Sequence, residues 1–522
     1  ARVSYSSGQS DGFRENTFLG RDDTNRRREN LVRAKVRWQH ESGAKLLATL
    51  FRANLDNGYD AWSPDNNEDL VTYSDKPGQD RQKTAAVSLR SEIPLRSVSA
   101  DLVSITAYST TDLGHSYDGD WGNDAFWLEE PYRYDPGDDG FPWDFSHRIL
   151  RDRTTWSQEL RLLKSDGRRG DFAAGLYAKK LREEDDARGW LFGGEATDLT
   201  SDFDITNIAL YGRLDRALSS TVTLSLNGRL DRNSITYDGS SFNIWVSEVA
   251  QPVDFDVSQW LAGGKLAVSW ELGSGRQTFA AVSRGFRAGG INQHPRLTSA
   301  NRSFDPEHIW NIETGYRVVT PRTTTSITLF YAMRSDQQVK LSQQDSNDPN
   351  SFFYFTSNAV KGRNNGLELE QEMRLSSDLD LFGSVGYLST HIDRYRFPTK
   401  DGIVELGDRE AAHGPGYTAR LGATYRNHSG LVAGVEAIAV DEFFFSDSHD
   451  EKSSAYVLWN AKLAYEQPEY SLALYGRNLT DRDTEVRGFG GFGNDPRKEY
   501  AEEPYYQYGE PLTYGVEGKL YF

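Results

Sequence analysis

The chain ends in YGEPLTYGVEGKLYF, and this stretch alternates residue by residue. Leu512, Tyr514, Val516, Gly518, Leu520 and Phe522 fall on one face, and Thr513, Gly515, Glu517, Lys519 and Tyr521 on the other. Successive side chains leave opposite faces of a pleated strand, so an apolar set against a mostly polar one marks a half-exposed β-strand. Chain ends are ordinarily polar and frayed, which makes this terminus an element in its own right. The same period recurs upstream. TVTLSLNGRLD sets Val222, Leu224, Leu226, Gly228 and Leu230 against Thr221, Thr223, Ser225, Asn227, Arg229 and Asp231. GLELEQEMRL sets Leu367, Leu369, Met373 and Leu375 against Glu368, Glu370, Glu372 and Arg374, and SITLFYAMRS gathers Ile327, Leu329, Tyr331 and Met333.

The links between these segments take turns. Short polar ones at 41–45, 165–170, 272–275, 320–322, 376–378, 427–430 and 466–468 alternate with long ones at about 57–80, 112–151, 185–201, 236–253, 288–305, 338–350, 394–414 and 482–508. About 20 strands result, many of 10–15 residues, longer than the usual five or six. On WLAGGKLAVSW, Trp260 and Trp270 share a face with Ala262, Gly264, Leu266 and Val268. Ten residues of strand cover roughly 33 Å. Tilted about 40°, that projects to about 25 Å, the height of the apolar band between the aromatic girdles of a membrane barrel. The pattern predicts an all-β, transmembrane, antiparallel up-and-down β-barrel with short turns at one end and long loops at the other. Its last strand is expected to pair with its first, because an open edge is not tolerated in lipid.

Composition agrees by exclusion. No run approaches 18 apolar residues, which excludes a spanning helix; mean hydropathy is −0.66, as alternating strands average out polar. The chain has no Cys, hence neither a disulfide framework nor a thiolate metal site. A net charge of −18 argues against a nucleic-acid partner. The sequence opens at Ala1 without Met, a basic n-region or an apolar h-region, so any targeting signal is expected to have been removed or to lie outside this sequence.

Several stretches taken in order resemble one family. AVSRGFRAGGINQ (281–293) with DPEHIWNIETGYR (305–317), NNGLELEQEMRL (364–375), LYGRNLTDRD (474–483), RTTWSQELRL (153–162) and the terminal YGVEGKLYF are similar to the conserved boxes of TonB-dependent outer-membrane receptors. The resemblance covers essentially the whole chain. It implies the Gram-negative outer membrane, capture of a scarce nutrient by the external loops, and import driven through TonB-ExbB-ExbD acting on a plug. An iron–siderophore-type complex is the first cargo it implies, followed by a carbohydrate or a cobalamin-like molecule. Residues 1–522 then correspond to the barrel of such a receptor, which has 22 strands in the family. ARVSYSSG looks like the third of them, so the plug and two strands are expected to lie outside this sequence; the alternative is a separate 20-stranded barrel, since even numbers close equally well. The remaining implied partners are outer-membrane lipid and the barrel assembly machinery, which reads a terminal signal at Tyr514, Val516, Leu520 and Phe522; the expected state is a monomer. A passive porin would share the barrel but not the boxes. A barrel enzyme would need a nucleophile–base set, and none is found, so no catalytic residue is expected. A propeller would need a repeat of 40–50 residues, which is absent.

Three motifs remain. RGFGGFGNDPR (487–497) fits G-x-G-x-x-G but lacks the strand-before, helix-after context of a dinucleotide site; it reads as a loop with Phe489 and Phe492 exposed. In SYDGDWGNDAFWLEEP (116–131), Asp118, Asp120, Asp124 and Glu129 occupy positions 1, 3, 7 and 12 of a calcium-loop frame, although Asn123 stands where that frame has Gly. The rival readings are an acidic loop in water and a ligand surface. Trp121, Trp127, Tyr132 and Trp143 are the ligand-binding candidates there, since aromatic faces stack on rings; apart from that calcium, no cofactor is expected. His115 and His147 share the loop, which leaves coordination by a His pair open, with scattered surface histidines as the simpler reading. Arg287 and Asn292 run from a strand into a long loop and are candidates for ligand or plug contacts, Arg suiting an anionic chelate. Arg229, Asp231 and Glu368–Arg374 fit a wet lumen.

Overall fold

The alternation folds into one antiparallel sheet of twenty strands. The computed structural model describes residues 1–521 except 167–169, 192–193, 244–249, 293–300, 346–347, 400–401 and 493–502. The strands are β1 Arg2–Ser10, β2 Arg27–Gln39, β3 Lys45–Tyr59, β4 Gly78–Leu95, β5 Ala100–Asp118, β6 Phe145–Asp166, β7 Gly170–Leu191, β8 Gly194–Ala217, β9 Val222–Asn243 and β10 Ala250–Gly273. They continue as β11 Arg276–Arg287, β12 Glu307–Val319, β13 Thr323–Asp345, β14 Asp348–Arg374, β15 Leu379–Ile392, β16 Tyr417–Arg426, β17 Leu431–Val440, β18 Tyr456–Glu466, β19 Tyr470–Arg477 and β20 Thr513–Leu520. Each pairs with its neighbours in sequence, which is the up-and-down order. Two short helices, α1 Asp124–Leu128 and α2 Pro136–Asp139, lie in the β5–β6 loop.

Register aligns the apolar residues into rows. Leu160, Leu176, Leu210 and Leu230 are cross-strand partners from β6 to β9 and all are exposed. So are Ile312 and Tyr331 on β12 and β13, and Tyr514, Val516 and Leu520 on β20. A sheet with its greasy face turned outward is stable only where that face meets lipid. The opposite face is charged and internally paired. Arg229 donates to Asp231 at 2.7 and 2.8 Å, Arg161 meets Glu159 at 2.6 Å, the Tyr211 hydroxyl donates to Glu159, and Lys265 reaches Glu313 at 2.5 Å. The wet lumen expected from Arg229, Asp231 and the Glu368–Arg374 run is this face.

Six of the seven short links read from the sequence coincide with tight turns, and the turn residues of the seventh, 165–170, lie outside the described residues. Ser274 and Gly275 both have positive φ, as a two-residue primed hairpin demands, and a Cβ on Gly275 would lie 2.2 Å from the Val319 carbonyl oxygen. Two more turns, 96–99 and 218–221, carry no Gly, Pro or Asn; at the second, the Ser219 hydroxyl accepts from the amides of Thr221 and Val222.

Three expectations need correction. Strands of 10–15 residues were too short at the long-loop end: β7 to β10 and β13 run to 22–24 residues and β14 to 27. The links 185–201, 236–253 and 338–350 are mostly ladder, because polar partners such as Thr200 and Ser240 continue the register beyond the apolar rows. The Gly-rich segment is also paired, Glu485–Phe492 against Glu503–Tyr508, and Phe489 is half-buried because it stacks on Trp62 at 4.6 Å; the Phe492 side chain and Phe522 lie outside the described residues. Among the described residues no ladder joins β1 to β20. The sheet ends are bridged through their loops. Arg14 donates to the Tyr508 carbonyl at 2.9 Å, and the Tyr506 amide donates to Asn66 Oδ1 at 2.9 Å.

Candidate ligand site at the external mouth

Where β3 to β6 leave the apolar belt, their inward positions fall in cross-strand rows. One row is Tyr59, Gly78, Tyr117, His147 and Gly189; the next, one step inward along the strands, is Asn57, Asp80, His115, Ile149 and Ala187. Side chains of one parity share a face, so two tyrosines and two histidines project together. Tyr59 meets His115 edge-on at 4.9 Å between ring centroids, and Tyr117 stacks on His147 at 5.4 Å. Tyr117 keeps 37% of its surface accessible. Above them the Trp62 indole donates to the Tyr59 hydroxyl at 3.4 Å, and the Arg487 guanidinium lies 6.0 Å from the Trp62 ring and 5.7 Å from that of Phe489.

The electrostatics favour neutral rings and one cation. Burial pushes the His147 imidazole down to about 4, with His115 adding to the effect, and His147 Nδ1 has no hydrogen-bond partner among the described residues. Burial also lowers His115, Asp80 at 3.8 Å opposing and Arg487 reinforcing it. Both imidazoles are therefore uncharged at neutral pH, each with a donor and an acceptor nitrogen. Below them the wall is self-neutralised: Arg151 bridges Asp185 at 2.6 Å and Glu183 at 3.1 Å, and Arg153 meets Glu183 at 2.5 Å. The band can stack on a ring system, hydrogen-bond its heteroatoms and offer Arg487 to an anion.

The sequence candidates sit above and beside this band. Trp127 and Trp143 are each 1% exposed and, with Tyr134, form the core of the β5–β6 loop, Tyr132 packing at its edge. Trp121 is buried in a second cluster with Trp62 and Tyr505. Trp121, Trp127 and Trp143 hold loops together and present no open face, and Tyr132 is half-buried. The four calcium-frame carboxylates do not come together. Asp118 and Asp120 are buried, whereas Asp124 opens α1 and Glu129 caps its end, both exposed. Among the described residues no three His, Cys, Asp or Glu side chains are grouped to hold a metal ion. Asp120 instead accepts from the Gly122 amide at 3.0 Å, the Phe145 amide at 2.9 Å and the Trp127 indole at 3.4 Å, fastening both ends of the loop. Arg287 is exposed at the end of β11 opposite Glu307, which is taken by Arg334 at 2.6 Å. The Asn292 amide is spent on the carbonyls of Asn301 and Thr356 and accepts from the Thr356 amide, a clamp between loop and β14.

Asp118 and Asp120 are both raised above the ordinary carboxylate range, first by burial, and for Asp118 next by repulsion from its neighbour. Ser74, Asp75 and the Lys76–Asp144 ion pair surround them. A carboxyl that holds its proton more tightly folded than unfolded loses stabilisation as pH rises through that window, from the ordinary range to about 6 for Asp120. The Gly122 and Phe145 amides are therefore expected to exchange hydrogen more slowly at pH 5 than at pH 7 after correction for intrinsic rates. Asp120→Asn should flatten that difference; an equal difference in the variant would exclude the pair as its source.

Sequence reasoning missed Tyr59, Trp62 and Arg487; it set His115 and His147 in one loop and weighed them as a coordinating pair, but preferred scattered surface histidines. Their parity is visible in the sequence, but their adjacency depends on the β5–β6 register across a 26-residue loop, and Trp62 and Arg487 are more than 400 residues apart.

A family model described as TonB dependent receptor-like, beta-barrel matches residues 3–479. The pesticin receptor of Yersinia pestis is 22% identical over 345 residues, covering 64% of this chain and 48% of that protein. The chain thus spans about half the length of this curated relative. Among solved structures, the ferric yersiniabactin uptake receptor FyuA from Yersinia pestis matches with a TM-score of 0.82 at 16% identity, over 100% of this chain and 75% of that one. The siderophore receptor PiuA from Acinetobacter baumannii matches with a TM-score of 0.75 at 12% identity, over 99% and 76%. The copper transporter OprC gives 0.71 at 15% identity, over 100% and 76%. The exposed apolar rows, the paired inner wall and a family match over most of the sequence have one reading: the chain belongs to the TonB-dependent receptor-like β-barrel family of the Gram-negative outer membrane.

Proposed function

We propose that this barrel belongs to a receptor that takes an anionic, aromatic metal chelate of the siderophore–iron type from outside the cell and delivers it to the periplasm with TonB-coupled energy. The observation that carries the reading is the band of Tyr59, His115, Tyr117 and His147 beneath Trp62 and Arg487. Flat rings stack on aromatic chelators, a lone guanidinium attracts their carboxylates or phenolates, and the neutralised wall below adds no competing charge. The ferric yersiniabactin and PiuA receptors lend support as proteins of the same fold whose described cargo is of this kind. In this reading the interlocked external loops close over the cargo, and a plug pulled by TonB opens the path.

The test is a tryptophan-fluorescence titration of the refolded chain with ferric catecholate and ferric phenolate chelates, against maltohexaose and cobalamin. A ferric chelate is expected to quench saturably. His147→Ala and Arg487→Ala should each weaken it about tenfold, the equivalent of about 1.4 kcal/mol. Saturable quenching by the sugar or by cobalamin alone would replace the siderophore reading with one of those cargoes.

A further inference from the structure

The cation at the mouth stands on a hairpin that is distant in sequence from the rings it covers. Arg487 is exposed on the strand Glu485–Phe492, which pairs with Glu503–Tyr508. The ladder skips Val486, a bulge immediately before Arg487, and bulges re-aim the side chains beside them. Arg487 and Phe489 both lie against Trp62. A guanidinium on a long, rotatable stem acts on a ligand only as precisely as the backbone beneath it is held.

Asn66 holds that backbone. Its Oδ1 accepts from the Tyr506 amide at 2.9 Å, and its Nδ2 donates to the Pro504 carbonyl at 3.5 Å. The N–H of one residue and the C=O two positions before it point to the same edge of a strand, so one carboxamide meets both as a neighbouring strand would. Tyr506 is the cross-strand partner of Gly488, the residue after Arg487. The segment that carries Asn66 is built without the hairpin. The Asn66 amide donates to the Ser63 carbonyl at 3.1 Å, and the Asn67 side chain donates to Asp65 at 2.7 Å and accepts from the Val71 amide at 3.1 Å. Asn66 itself has a φ of 56°, a left-handed conformation that Asn and Gly tolerate.

Tyr59, Trp62 and Asn66 belong to this one segment. It therefore supplies both the rings that the cation covers and the clamp that places the cation. The Tyr506 hydroxyl on Glu451 at 2.7 Å and Arg14 on the Tyr508 carbonyl at 2.9 Å also tie the hairpin down, but neither joins it to the segment that holds Trp62.

We propose that Asn66 is a positioning residue: it holds Arg487 over Trp62, above Tyr59, and through Arg487 sets the preference of the mouth for an anionic ligand. The inference rests on the chelate reading above and adds the residue on which its charge selection depends.

The experiment titrates the refolded full chain with two probes by tryptophan fluorescence: a ferric phenolate chelate bearing a free carboxylate, and the same chelate as its carboxamide. Both offer the same rings, and only the first offers a charge to Arg487. Asn66→Gly removes the clamp and keeps the left-handed backbone, and heat-modifiable gel mobility reports that the barrel is folded. The wild-type chain is expected to bind the carboxylate about tenfold more tightly than the carboxamide, the size of a charge-assisted hydrogen bond. Asn66→Gly should reduce that preference to within about twofold although Arg487 is still present. The double variant N66G/R487A should lose no more of the preference than either single variant, because the two residues act as one unit. An undiminished preference in Asn66→Gly, or equal weakening of both probes, would overturn the proposal and leave the cargo reading standing. No saturable binding of either probe by the wild-type chain would overturn both.

Discussion

Trp127→Ala should unfold the β5–β6 loop while leaving the barrel intact. Trp127 is 1% exposed, packs edge-on against Trp143, Phe126 and Tyr132 at 5.0–6.4 Å between ring centroids, and donates to Asp120. Truncating a buried Trp to Ala costs about 3–5 kcal/mol. Trp127, Tyr134 and Trp143, with Phe126, Tyr132 and Phe145 packed against them, form the core of this loop, and Trp127 touches most of it, so a loss of that size is expected to exceed what the remaining contacts return. Local loss of order is the expected consequence, because the loop is anchored to strands whose ladders do not involve it. The measurement is hydrogen exchange at Gly122 and Tyr134 together with limited proteolysis between 119 and 144, read beside gel mobility as a report on the barrel. Trp127→Phe should retain most of the protection. Unchanged exchange in the alanine variant would mean that the loop is held by its anchors and not by its core. Ligand quenching should weaken with the collapse, since Trp121 from the same loop packs on Trp62 over the mouth.

The second large effect tests which face meets lipid. Leu226 on β9 is cross-strand to Leu266, and on β10 Leu266 lies between Trp260 and Trp270, at mid-depth of the apolar band. Leu226→Arg is expected to cost about 2–4 kcal/mol, the depth-dependent penalty for a cation at the bilayer midplane. Its neighbour Ser225 faces the lumen, where its hydroxyl donates to Asp215 at 2.6 Å. Ser225→Arg places the same charge one residue away, in water and opposite a carboxylate, and should cost within about 0.5 kcal/mol, as is usual for solvent-facing substitutions. Denaturant titration of both variants in phosphatidylcholine vesicles separates them. Equal destabilisation would mean that the two faces of β9 do not differ in solvent.

The architecture was legible because its signal is local. A period of two survives at Leu367–Leu375 or Tyr514–Leu520 without reference to anything distant, and loop chemistry such as Asn427–Gly430 punctuates it. What failed were statements that depend on pairing. Strand ends above the membrane lose the apolar alternation, so Thr200 and Ser240 read as loop although their backbones are in ladder. Trp127 and Trp143 read as ligand contacts because composition records aromaticity and not burial. Asn292 read as a mouth residue because its place in the chain was visible, while its partner Thr356, 64 residues on, was not. The Tyr59–His147 band joins four strands, and a site of that kind becomes visible only once register is known. The last residues gave the strand, while the loop bond from Arg14 to the Tyr508 carbonyl, which ties the two ends of the sheet together, has no local signal.

The tall hairpins have a consequence for survival at a cell surface. A protease must draw several residues of extended chain, with free amides and carbonyls, into its own cleft. In β7 to β10, β13 and β14 those groups are already engaged by a neighbouring strand well above the last lipid-facing leucine. Each such hairpin projects like a stave, offering hostile enzymes paired strand where a slack loop of equal reach would offer substrate. Projecting far from the membrane and resisting digestion are thus achieved by the same hydrogen bonds.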